Sequence, residues 1–137
     1  MSLRALPLMA IPLIVYNVLV MFSGGEAATF FTQPLFTIQM IKGAQWAFTR
    51  GDMIIFITML FLFAELVKAT YTSSVSLIDH GLSMLVFVAC LIEFLVVGAA
   101  ATSVFFFIMM AAMIDVVAGF TIGIRVARRD LTIGAEH

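Results

Sequence analysis

Residues 81–124 run for more than 40 positions with only two charged side chains, Glu93 and Asp115. As one continuous helix they would be about 60 Å long, roughly twice the 30 Å of a bilayer's hydrocarbon core. Apolar sequence on this scale requires two lipid-spanning helices with a turn between them, near residues 98–103. A soluble domain of 137 residues must cover a large surface with polar groups. This chain has too few: hydrophobic residues are 64% and charged residues 11%, against roughly 45–50% and 25% in soluble proteins. For most of the chain the solvent is lipid.

Four stretches are apolar and long enough to span: about 5–22, 53–69, 81–101 and 102–124. The expected fold is therefore all-α, a single polytopic domain over 1–137 built as a bundle of four transmembrane helices. Pro12 removes an internal hydrogen bond and is expected to kink the first helix. Arg4, the apolar run behind it and the small residues Gly25 and Ala27 imitate a signal peptide. That run is about 18 residues, longer than the 7–15 of a signal core, so a retained span is expected.

With four crossings both termini share a side, which then holds Arg4, Lys68, Arg125, Arg128 and Arg129, leaving only Lys42 and Arg50 opposite. The positive-inside rule places both termini in the cytoplasm. A multi-pass protein of a bacterial inner membrane is the expected setting. The long outer connection, 23–51, is rich in aromatic residues (Phe30, Phe31, Phe36, Trp46, Phe48) and reads as an interfacial segment, with a re-entrant hairpin as the other possibility. The cytoplasmic tail is 125–137, and its end, 130–137, is expected to be mobile.

Carboxylates inside spans carry the functional information, because a lipid-facing helix cannot hold them. Glu65, Glu93 and Asp115 all lie within spans. A rise of 1.5 Å per residue puts Glu65 and Asp115 about 20 Å from the outer boundary and Glu93 about 12 Å from it. Helical spacing gives their faces. Gly51, Thr58, Glu65 and Thr72 recur every seven residues. Asp79, Ser83, Val86, Cys90, Glu93, Val97 and Ala100 step by four and three. Ala111, Asp115, Gly119 and Gly123 recur every four, a small-residue pattern that admits close helix packing. The three stripes are expected to meet, giving a bundle more polar inside than outside.

Each polar residue also has a purely structural reading. Lys68 pairs with Glu65 three residues before it, or reaches Asp79 across the loop as a boundary ion pair. Asn17 is placed to hydrogen-bond Glu93. Asp115 has no cation on its own helix within about 15 Å. Glu93 and Asp115 are thus either neutral hydrogen-bonding groups holding helices together or parts of a proton or cation route. His80 reads as a boundary residue beside Asp79; as a metal ligand it is only a weak candidate, and His137 in the tail cannot join it in a bis-histidine haem site.

Other chemistries are excluded. A formal net charge of −1 leaves no basic excess for nucleic acid. The single cysteine, Cys90, permits no intrachain disulfide or cysteine zinc site. The nucleophile-elbow, HExxH, P-loop and dinucleotide-binding motifs are absent from the sequence, and no nucleophile and base share a depth. No cofactor is expected. The leading expectation is a non-enzymatic membrane protein acting through helix packing, as a self-assembling bundle or a small subunit of a larger membrane complex. Its partners are then the lipid bilayer and either itself or other membrane subunits. The alternative is a proton- or cation-coupled channel or transporter using the intramembrane carboxylates.

Overall fold

The computed structural model describes residues 6–71 and 74–135; Arg4, Ala5, Thr72 and His137 lie outside them. Five helices and one two-stranded sheet follow in the order α1 (Ala10–Met21), α2 (Ala27–Thr32), β1 (Pro34–Gln39), β2 (Gln45–Thr49), α3 (Arg50–Lys68), α4 (Ser74–Val96) and α5 (Ser103–Ala135). The fold is mostly helical. Two helical stretches, Leu77–Val96 and Ser103–Gly134, are long and apolar enough to cross a membrane. α3 has 19 residues, about 28 Å of helix, but carries Arg50 and Asp52 at one end and Glu65 and Lys68 at the other.

The first helix is shorter than the apolar run that contains it. α1 has 12 residues, about 18 Å, and the chain before it is a turn in which Ala10 and Ile11 donate to the carbonyls of Pro7 and Leu8. Pro12 therefore falls in the first turn of α1 rather than in its interior. An amide there has no intrahelical partner to lose, so proline starts this helix instead of kinking it.

The connection 23–51 holds regular structure of its own. α2 leads into an antiparallel hairpin with Phe36 opposite Phe48 and Ile38 opposite Trp46, and a register shift between Pro34 and Phe36. The period of two puts Phe36, Ile38, Trp46 and Phe48 on one face, where Phe36 and Phe48 stack at 5.0 Å between ring centroids. Gly43, at φ +91°, makes the turn between the strands. An isolated hairpin is marginal in water. Here β2 runs straight into α3: Thr49, the last strand residue, caps the helix by accepting from Asp52 N–H, while the Asp52 carboxylate accepts from Thr49 N–H, both at 3.0 Å.

Between α4 and α5 the chain breaks at a single 3-10 turn, Gly98–Ala100. Thr102 then caps α5, its hydroxyl accepting from Phe105 N–H at 3.2 Å. α5 runs on to Ala135, about 50 Å in all, so most of the tail expected to be mobile is helical. This helix is the axis of the molecule: α3 and α4 pack along it, and α1 reaches α3, α4 and α5. The core is Tyr16, Phe31, Ile54, Cys90, Phe105, Ile108 and Ala112, all buried.

Candidate functional site

The polar residues of three helices converge at the end of the bundle away from the hairpin. Glu65 comes from the last turns of α3, Asp79, His80 and Ser83 from the first half of α4, and Asp115 from the middle of α5; each is between 2% and 8% exposed. Lys68 is the hub. Its ammonium lies 2.9 Å from Glu65 Oε1 and 3.1 Å from Asp79 Oδ1, and donates to the Leu6 carbonyl at 2.6 Å. The same Glu65 oxygen accepts from Leu8 N–H at 2.8 Å. The turn that opens α1 is thus tied down by an ion pair on α3 and α4. The local and the cross-loop pairing of Lys68 occur together, because the end of α3 and the start of α4 lie at the same level.

Asp115 faces Glu65 and Ser83. Among the described residues, the seam sets three carboxylates against one lysine. Its Asp115 Oδ2, Ser83 Oγ and His80 Nε2 are buried without a hydrogen-bond partner. Buried charge without full pairing is costly, and buried polar atoms left unpaired cost about 1–3 kcal/mol each. Chemically, such a seam is a place to hold protons among carboxylate, hydroxyl and imidazole.

The small-residue stripe of α5 has a specific use here. A Cβ on Gly119 would stand 3.2 Å from His80 Cε1, and one on Gly123 3.1 Å from His80 Nε2. The two glycines form the seat of the imidazole, which also lies 4.9 Å from the Phe120 ring. Ala111, one turn before Asp115 on the same stripe, is buried as well. His80, next to Asp79 on α4, is thus buried in the α4–α5 contact. Among the described residues no group of three or more His, Cys, Asp or Glu side chains is placed to hold a metal ion.

Glu93 does not join this seam. It lies ten residues past Ser83 on α4, about 15 Å further along the axis. There it is half-buried beside Asn17 in an open groove also lined by Ala89, Ile92, Val96 and Val97. Asn17 donates to the Leu13 carbonyl at 3.0 Å and presents the rest of its amide to Glu93. Two of the three acids meet, and the third sits apart.

A second polar knot was not anticipated from the sequence. Tyr16, fully buried in α1, donates to the Ala99 carbonyl at 2.7 Å and has its phenol oxygen 2.7 Å from the Thr102 hydroxyl. Its ring stacks on Phe31 at 4.7 Å and meets Phe105 edge-on at 5.0 Å. Tyr16 thereby ties α1 and α2 to the α4–α5 turn. The signal was present: a tyrosine within an apolar run needs a partner for its hydroxyl. Comparison of the chain with family models, with curated proteins and with solved structures finds no match.

Proposed function

We propose that this chain is a non-enzymatic integral membrane protein that works by packing against other membrane helices, as a self-assembling bundle or as a small subunit of a larger complex. In this reading α3, α4 and α5 cross the bilayer and α1, about 18 Å long, crosses it together with the turn that precedes it, with both termini on the cytoplasmic side. One observation carries it: carboxylates lie buried among the helices while large apolar side chains cover much of the outside. Glu65, Asp79 and Asp115 are buried, while Phe63, Leu85, Leu95 and Val117 are more than 60% exposed. An apolar exterior of this extent needs lipid or partner helices to cover it. Because His80 occupies the glycine seat of α5, the surface for association is the exposed apolar side of α3, α4 and α5 away from that seat.

The test is the mass of the protein extracted from membranes in a mild detergent, by size exclusion with light scattering. Expected is a membrane-fraction protein with a polypeptide mass at a multiple of 15.0 kDa, or in fixed ratio with a second subunit. Recovery in the soluble fraction, or as a lone chain at every detergent concentration, overturns the proposal.

A proton- or cation-coupled route is the second reading, favoured by the three unpartnered polar atoms of the seam. It requires that proton flux into liposomes depend on Asp115 and Glu93. Flux unchanged by Asp115→Asn and Glu93→Gln removes it.

A further inference from the structure

At the opposite end of the bundle from the polar seam, α1, α2, β1 and α3 enclose an apolar groove of about 350 Å³. Val15 and Leu19 of α1 and Ile54 and Ile57 of α3 line it, with Phe30 and Arg50 at its mouth. We propose that this groove binds one anionic phospholipid, with an acyl chain along the aliphatic lining and the headgroup phosphate on Arg50. The proposal rests only on the chain lying in a membrane, not on what it assembles with.

Arg50 is the residue that selects the ligand. Its guanidinium lies 4.4 Å over the Phe30 ring, which fixes its direction at the mouth of the groove. Among the described residues no carboxylate is ion-paired with Arg50. Asp52, two positions on, is committed to the helix cap through Thr49 N–H. The backbone of Arg50 is held too, its N–H donating to the Gln33 carbonyl at 2.9 Å. A guanidinium on an apolar wall, aimed by a ring and free of a counter-ion, matches a phosphate, which it can hold through two parallel hydrogen bonds.

Depth agrees with charge. The 19 residues of α3 span about 28 Å, close to the thickness of the hydrocarbon core. With Lys68 at one end of that length, Arg50 sits at the headgroup level of the other leaflet. The aliphatic lining continues from it toward the bilayer centre: Ile54 and Ile57 lie one and two turns below Arg50 on α3. A lipid held there has its phosphate and its tail at the depths they occupy in the bilayer.

Native mass spectrometry of the detergent-solubilised protein tests this, with phosphatidylglycerol titrated against phosphatidylcholine of identical acyl chains. Both lipids carry the phosphate, but in phosphatidylcholine the quaternary ammonium offsets its charge and is repelled by the Arg50 guanidinium, so one phosphatidylglycerol should bind at least about fivefold more tightly. Arg50→Gln should abolish the preference, and Ile57→Trp, which fills the groove, should weaken binding of the anionic lipid about tenfold or more. Far-UV circular dichroism checks that both variants keep their helices. Equal binding of the two lipids by the native chain, or an undiminished preference in Arg50→Gln, overturns the proposal. So does oleate competing as well as phosphatidylglycerol, or inorganic phosphate alone displacing it, since either places the specificity outside a phospholipid. A protein that fails to partition into membranes would instead refute the membrane reading itself.

Discussion

Replacing Lys68 by Met is the sharpest perturbation of the buried seam. Among the described residues the ammonium is the one cation for two carboxylates, at 2.9 and 3.1 Å, and Glu65 and Asp79 are only 2% and 3% exposed. Methionine nearly keeps the length of the side chain and removes the charge. Two carboxylates then stay buried with like charge between them and no counter-ion, and the Leu6 carbonyl loses its donor. Removing one partner of a buried pair costs about 3–5 kcal/mol. That corresponds to a folding equilibrium constant lower by roughly two to three and a half orders of magnitude. The assay is unfolding of the detergent-solubilised protein by increasing sodium dodecyl sulfate, followed by far-UV circular dichroism. A further variant makes the cause visible. Lys68→Met combined with Glu65→Gln and Asp79→Asn should recover most of the loss. The amide oxygen that Glu65→Gln introduces still accepts from Leu8 N–H, and no charge remains unpaired. Charge burial as the cause is refuted if Lys68→Met lies within about 1 kcal/mol of the native chain, the usual range of an exposed pair, or if the triple variant is no more stable than the single one.

Gly119→Leu should separate α4 from α5, because even a methyl group there stands 3.2 Å from His80; a loss of about 1–3 kcal/mol in the same assay is expected, and native stability would refute the glycine seat. Tyr16→Phe keeps the stack on Phe31 but leaves the Ala99 carbonyl and Thr102 hydroxyl without their partner, so about 1–2 kcal/mol should be lost. Cys90 is fully buried, so a maleimide should label it only after unfolding; rapid labelling of the folded protein would contradict the packing of α4 on the core.

The stripes of the sequence predict well which faces turn inward. Gly51, Thr58 and Glu65 are buried on α3, Asp79, Ser83 and Cys90 on α4, and Ala111, Asp115 and Gly119 on α5, but the stripes are not buried throughout: Val86, Glu93 and Gly123 are half-buried and Val97 is exposed. The break between the two longest apolar stretches falls at Gly98–Ala100, within the expected region. The hairpin departs from the all-α expectation: its two alternating apolar runs on either side of Lys42 and Gly43 are short, and their aromatic content fits an interfacial segment equally well. The length of α1 was not legible. Hydropathy measures the affinity of side chains for lipid, whereas Pro7 and Pro12 set where the backbone can begin its hydrogen bonds.

Local chemistry alone decided that most of this chain is apolar, that it forms helices, and which stripe of each helix is polar or small. Those properties are additive along the backbone and need no knowledge of what lies opposite. Tertiary structure decided the pairings. Lys68 reaches both Glu65 and Asp79, the His80 ring settles on Gly119 and Gly123, Glu93 stands apart with Asn17, and Arg50 faces an apolar groove. Each depends on the axial offset and rotation of one helix against another, set by packing over many residues and invisible to a periodicity read one segment at a time.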